Sequence, residues 1–192
     1  MSLRHMTVWQ IELLPWYAFV AVWVVAALWV KTTKEAEPVS SRLAYGSLMA
    51  AGFYLLFSER LPLGVLAGRF VGKSDWIATV GIALTFAGVG LSIWARIILG
   101  RNWSGKVTRK VDHQLIRSGP YAFVRHPIYS GLLLAAIGTA TVVGEWRAVL
   151  GIALILASES IKARREEQFM SAEFGDSYEE YRRGTWFLIP GW

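Results

Sequence analysis

The chain contains no cysteine among its 192 residues. That absence excludes disulfides, thiolate nucleophiles and cysteine-based metal sites. Histidine is scarce too, with only His5, His113 and His126, and these lack metal-ligand spacing, so no metal centre is expected. There is no Walker-type phosphate loop. Gly88-Val-Gly90 lies inside an apolar stretch without a strand-to-helix turn, which rules out a dinucleotide fingerprint there. Ser118 has no His and Asp arrangement that would make it a triad nucleophile. Charge is also thin, at 18% of residues against roughly 25% in soluble domains.

Apolar and aromatic residues take up the space. Hydrophobic residues make up 54% of the chain, and ten are tryptophan. Tryptophan favours the bilayer interface, where its ring is buried and its N–H stays wet. The formal net charge of +6 therefore points to anionic lipid headgroups as partners and not to nucleic acid.

Five apolar stretches predict an all-α integral membrane fold of about five transmembrane helices. They run over 8–30, 43–57, 76–99, 128–143 and 146–161. At ~1.5 Å per residue the third is long enough for a ~30 Å hydrocarbon core. The first is too long for a signal-peptide core and lacks a small-residue cleavage site, so a retained helix is expected. The last two are short and separated by Gly144-Glu145, which predicts a tight hairpin that spans narrowly or re-enters. No polar residue is expected to interrupt the middle of the last three helices, which argues against an ion path. Small residues at Ala83, Ala87 and Gly90 suggest close helix packing.

Charge asymmetry orients these spans. The segments after the first, third and fifth stretches, together with Arg96 near the end of the third, carry fifteen of the twenty Lys and Arg. The positive-inside rule then places the N-terminus outside and the C-terminus in the cytoplasm. One structural domain follows, with residues 1–100 as three membrane helices and 101–192 as a loop, a hairpin and a tail. The two longest polar pieces, 101–127 and 162–192, would share the cytoplasmic face and build any site for a soluble cofactor.

Within the first piece, Ser118-Gly-Pro-Tyr121 is a turn signal. Pro127 suits the first turn of the fourth helix. Arg125 and His126 then stand at a helix N-terminus that favours an anion, such as a carboxylate or phosphate. The plainer alternative is an arginine reaching the headgroups and a histidine capping a helix. In the second piece, Glu166 and Glu167 are adjacent on a helix and do not share a face, so one is expected to look inward and the other outward. An inward carboxylate suits an ammonium, a sulfonium or a ribose hydroxyl; a solvated charged helix exit is the plainer reading. Phe174, Tyr178 and Tyr181, spaced at i, i+4 and i+7, read as helix packing.

Taken together, His113-x-Leu-Ile-x-x-Gly119-x-Tyr121-x-x-x-Arg125-His126-Pro127-x-Tyr129-x-Gly131 resembles the isoprenylcysteine carboxyl methyltransferase family. Glu166-Glu167, Phe174-Gly175-x-x-Tyr178-x-x-Tyr181 and Ile189-Pro190 extend the likeness over the C-terminal half in family order. The family is related to the membrane phospholipid methyltransferases. The resemblance implies a five-helix membrane methyltransferase that binds S-adenosyl-L-methionine in a pocket unlike the soluble dinucleotide fold. It implies cofactor contacts from His113, Leu115, Ile116, Gly119, Tyr121, His126, Pro127, Tyr129, Glu166 and Glu167. Catalytic roles are expected for Arg125, Lys162 and Glu167, acting on a lipophilic acceptor that enters from the bilayer. Lys162 is a departure, because the family's pattern leads one to expect arginine there, and lysine lacks the bidentate fork that grips a carboxylate. Phospholipid N-methylation, thiol S-methylation and an NADPH-dependent membrane reductase, the last using Arg164 and Arg165, are the alternative activities.

Overall fold

The computed structural model describes residues 6–28, 33–36, 38–58, 64–103, 108–110 and 114–191, and His113 lies outside them. All five apolar stretches are helices. Helix α1 (Val8–Ala27) opens with a capping box in which Thr7 and Gln10 exchange side-chain and backbone hydrogen bonds. Helices α2 (Val39–Phe57) and α3 (Asp75–Leu99) follow. Pro127 stands at the first position of α4 (Pro127–Val143), as its missing N–H allows. Helix α5 (Trp146–Phe174) runs unbroken through 29 residues and carries the charged segment with it.

Among the described residues, one element departs from a purely helical chain. Strands β1 (Thr33–Ala36) and β2 (Thr108–Lys110) pair antiparallel, with Thr33 opposite Lys110 and Ala36 opposite Thr108. The ribbon sets the connectors after α1 and α3 side by side at one end of the bundle.

Helices α1 and α3 are long and apolar enough to cross a membrane. Tyr17, Val20 and Val24 of α1 are exposed, as are Phe86, Trp94 and Ile97 of α3. A belt of large apolar side chains facing outward suits lipid contact.

The helices meet through small residues. Gly81, Thr85, Gly88 and Ser92 of α3 face Gly131, Ala135, Gly138 and Val142 of α4. A Cβ on Gly88 would lie 2.4 Å from the Ala135 nitrogen. This corrects the expected stripe of Ala83, Ala87 and Gly90. Those three are exposed, and nothing lies within 4 Å of a Cβ built on Gly90. A two-residue offset turns the stripe by about 200°, to the opposite face of the helix.

The expectation of apolar helix middles is also corrected. Glu12 of α1 is fully buried, and its Oε1 accepts from Thr85 at 2.8 Å and Thr139 at 2.6 Å. Trp16 Nε1 donates to the Thr139 hydroxyl at 3.0 Å. Threonine is small enough to sit in an apolar run, so the knot becomes visible only when three helices come together. On α5, Ser158 and Glu159 are buried as well.

Helix α5 ends at Gly175, whose φ of +50° turns the chain into α6 (Asp176–Arg183). Phe174 and the two tyrosines therefore do not share one helix. Tyr178 and Tyr181 of α6 are buried, while Phe174 is partly exposed.

Candidate functional site

The site forms where the segment before α4, the C-terminal half of α5 and the C-terminal tail converge. Gly119 takes φ +61° at the start of a tight 3-10 turn ending at Ala122. Beyond it, the Arg125 backbone N–H donates to the Trp186 carbonyl at 2.8 Å, and the Trp186 N–H donates to Phe123 at 3.0 Å. The tail is thus stitched onto the segment that carries Arg125 and His126. Tyr181 strengthens the joint by donating its hydroxyl to the Tyr121 carbonyl at 2.7 Å.

Across this seam four side chains converge on the paired acids of α5. Arg125 Nε meets Glu167 Oε1 at 2.5 Å. The His126 ring lies between the acids, with Nδ1 3.5 Å from Glu166 Oε2 and Nε2 3.4 Å from Glu167 Oε1. Tyr129 donates its hydroxyl to Glu166 Oε1 at 2.6 Å and stacks its ring on His126. Lys162 Nζ lies 3.9 Å from Glu166 Oε1. Both acids look inward, against the expectation that one would face out. The imidazole bridges their divergence because its two nitrogens point in opposite directions.

The electrostatics follow from this closure. Burial alone would lower the His126 pKa, but hydrogen bonds and charge from Glu166 and Glu167 outweigh it and hold the group above its ordinary value. Burial would raise both carboxyls, yet the His126 contact, with Lys162 for Glu166 and Arg125 for Glu167, holds them below the usual carboxylate range. Burial pushes the Tyr181 hydroxyl up to about 12 and raises Tyr121 and Tyr178 as well, so all three remain donors.

Beside this network opens a half-enclosed pocket of about 860 Å³, counted to its mouth. Of the residues singled out in the sequence, Leu115, Ile116, Tyr121, Arg125, His126, Tyr129 and Glu166 line it. Gly119 shapes the turn, and Pro127 is buried at the start of α4. Glu167 stands behind His126, and Lys162 lies outside the lining with its ammonium 5.4 Å from the Tyr129 ring centre. Arg164 and Arg165 do not line it either.

Several lining residues were not singled out from sequence as ligand contacts. Phe169 and Met170 lie three and four residues after Glu166, on one helix face, and that spacing was the available signal. Trp103, Tyr178 and Tyr181 come from separate elements, and only the fold joins them. The lining has apolar and aromatic walls that suit a planar ring, and one carboxylate, Glu166, that suits an ammonium or hydroxyls. His126 Nε2 is buried and faces Glu167 Oε1 at 3.4 Å.

Comparison with known proteins bears out the resemblance. Residues 80–172 match the model of the Isoprenylcysteine carboxyl methyltransferase (ICMT) family. The protein-S-isoprenylcysteine O-methyltransferase of Schizosaccharomyces pombe is 38% identical over 99 residues, 50% of this chain and 42% of the relative. The cobalt-zinc-cadmium resistance protein CzcN of Cupriavidus metallidurans is 30% identical over 131 residues, 66% of this chain and 58% of that protein. The chain thus spans about half the length of these two relatives. The solved structure of the eukaryotic intramembrane Ras methyltransferase ICMT superposes with a TM-score of 0.56 at 20% identity, covering 94% of this chain and 68% of that one. The likeness extends to the arrangement of the helices as a whole.

Proposed function

We propose that this ICMT-like chain is an integral membrane methyltransferase that uses S-adenosyl-L-methionine and acts on a lipophilic acceptor arriving from the bilayer. Residues 101–192 form the catalytic region on the cytoplasmic face, and residues 1–100 hold it in the membrane. One observation carries the reading. The Arg125–His126–Tyr129 segment closes on Glu166 and Glu167 at the wall of a half-enclosed pocket, within the stretch that matches the family.

S-adenosyl-L-methionine supplies a sulfonium-activated methyl group, so the protein needs no covalent nucleophile of its own. Leu115 and Ile116 offer an apolar wall for the adenine, with Tyr121 beside them. Glu166 is the lining carboxylate for the cofactor's ammonium or ribose hydroxyls, and His126 fixes its direction. Arg125 acts through Glu167, holding the second acid against the histidine. The chain's contribution is alignment and exclusion of water, the two effects that speed a displacement between well-oriented partners. An apolar outer surface on the helices suits an acceptor that approaches laterally. The carboxylate of an S-prenylated cysteine is the acceptor that the family likeness favours.

Calorimetry on detergent-purified protein tests this. S-adenosylmethionine and S-adenosylhomocysteine should bind at micromolar concentration, and NADPH should not. Folded protein that ignores both adenosyl ligands would overturn the proposal, and binding of NADPH alone would replace it with the reductase alternative.

A further inference from the structure

Three large apolar side chains stand on the outside of the bundle beside the site. Phe123, Trp186 and Ile189 are 64%, 46% and 44% exposed. Local structure does not require them there. Phe123 and Trp186 are joined through their backbones, with the Trp186 N–H on the Phe123 carbonyl and the Arg125 N–H on the Trp186 carbonyl. Leu188, which precedes Ile189, is fully buried, and its carbonyl accepts from the Ser130 hydroxyl. Main chain and inward residues therefore hold the tail, and polar side chains at the three outward positions would serve the fold as well. Apolar side chains grouped on a surface mark a contact with membrane or with protein.

Depth along the bundle decides between the two. Ser92 of α3 donates its hydroxyl to the Ile128 carbonyl at 2.9 Å. A Cβ on Gly119 would lie 3.2 Å from Ile98 Cγ1. The segment from Gly119 to Ile128 thus runs beside the last turns of α3, and Phe123 falls between those two contacts. Over the same stretch α3 turns Trp94 and Ile97 outward. Helix α3 is long and apolar enough to cross a membrane, so its final turns lie where hydrocarbon gives way to headgroups. Tryptophan favours that depth, because its ring is apolar and its N–H is polar. Arg183, three residues ahead of Trp186, is exposed and supplies a cation for headgroup phosphates. A face built for a protein partner has no reason to share its level with the outward residues of a membrane span.

We propose that Phe123, Trp186 and Ile189 form an interfacial anchor that seats the C-terminal tail at the headgroup–acyl boundary of the bilayer, with Arg183 at the headgroup phosphates. The inference goes beyond the methyltransferase reading and stands without it. It gives the tail two attachments. From the inside, the Arg125 guanidinium that binds Glu167 also donates to the Arg182 carbonyl at 3.0 Å. From the outside, the bilayer holds the side chains that follow. The lipid surface is thereby joined by main-chain hydrogen bonds to the segment that carries Arg125 and His126.

A chain without cysteine allows a direct test by site-specific labelling. Phe123→Cys, Trp186→Cys and Ile189→Cys are made one at a time in the full chain, with Asp176→Cys as the reference. Helix α5 continues for eight residues beyond Glu166, about 12 Å, and carries Asp176 clear of the boundary. Each variant bears a nitroxide and is reconstituted into vesicles of phosphatidylcholine and phosphatidylglycerol. Collision with oxygen, which enters the bilayer, is compared with collision with a nickel chelate, which stays in water. The three anchor labels should lie within about 5–10 Å of the headgroup–acyl boundary, the depth of an interfacial apolar face, and the label at position 176 should lie in water. Exposed substitutions cost little, so each variant should melt with the wild type in detergent, and the three positions report separately if one misfolds. Anchor labels as open to the chelate as the reference overturn the inference. Labels shielded from both reagents overturn it as well, since protein, such as a second copy of the chain, would then cover the face. Neither result bears on whether adenosyl ligands bind, so failure here and failure of the methyltransferase reading are told apart.

Discussion

Arg125 and Glu167 meet at 2.5 Å across 42 residues of chain, and the same guanidinium also donates to the backbone carbonyls of Arg182 and Thr185. One side chain therefore ties the segment before α4 to α5 and to the tail. Both partners are largely buried, with side chains 10% and 14% exposed. Arg125→Met should cost about 3–5 kcal/mol, the usual penalty for stranding one member of a buried pair. Arg125→Lys should recover little of it, because a single ammonium cannot serve a carboxylate and two carbonyls at once. Thermal melts in detergent measure this, and a methionine variant melting with the wild type would refute it.

The His126 cluster carries a pH signature of definite sign. Histidine's folded pKa lies above its ordinary 6.5, so its stabilising effect is complete below 6.5 and fades as pH rises through the folded value. Glu166 and Glu167 lie below their ordinary 4.5, so their effect is complete above 4.5 and fades as pH falls through the folded values. The cluster should stabilise the fold most between pH 4.5 and 6.5. His126→Gln should flatten the alkaline side of the melting-temperature profile. A wild-type-minus-variant difference that grows above neutral pH would contradict the assignment.

Much of this was legible because period and charge leave clear traces. The five apolar stretches became five helices, and Pro127 began α4 as a proline at that position should. Arg125, His126, Tyr129 and the paired acids converge in space as motif members often do. What stayed hidden depended on rotation and on contact between distant segments. The face that α3 turns to α4 is set by a two-residue offset, which counting small residues does not resolve. The inward turn of both Glu166 and Glu167 depends on a histidine whose nitrogens reach in two directions. Glu159 was overlooked inside Ser158-Glu159-Ser160, although a charge at the edge of an apolar stretch was itself a signal.

The α3–α4 seam makes a paired prediction. A methyl group on Gly88 meets backbone atoms of Gly131 and Ala135 at 2.5 and 2.4 Å, so the helices must separate. Gly88→Ala should cost about 1–3 kcal/mol, the range for overpacking a close contact. Gly90→Ala meets nothing within 4 Å and should be neutral or stabilising by up to about 1 kcal/mol, since alanine is the better helix former. Detergent melts of the two variants compare directly, because both make the same chemical change on one helix. Equal effects would mean that the seam is not a tight contact.

Thr139 occupies the centre of the buried knot, donating to Glu12 and accepting from Trp16. Thr139→Val preserves shape while leaving the Trp16 N–H without its acceptor and Glu12 with Thr85 alone. The expected cost is about 1–3 kcal/mol, the penalty for burying polar groups unpaired. Replacing Glu12 by leucine in the same chain should recover part of that loss, because a carboxyl no longer there needs no donor. The double-mutant cycle should therefore give a coupling energy that makes the pair less damaging than the sum of its members. Additive losses would mean that Glu12 finds another partner when Thr139 is gone. The site should be untouched throughout, since Thr139 lies three helical turns along α4 from Tyr129. Unchanged S-adenosylhomocysteine affinity in every folded variant of the cycle would separate this anchor of α1 from the chemistry at the other end of the bundle.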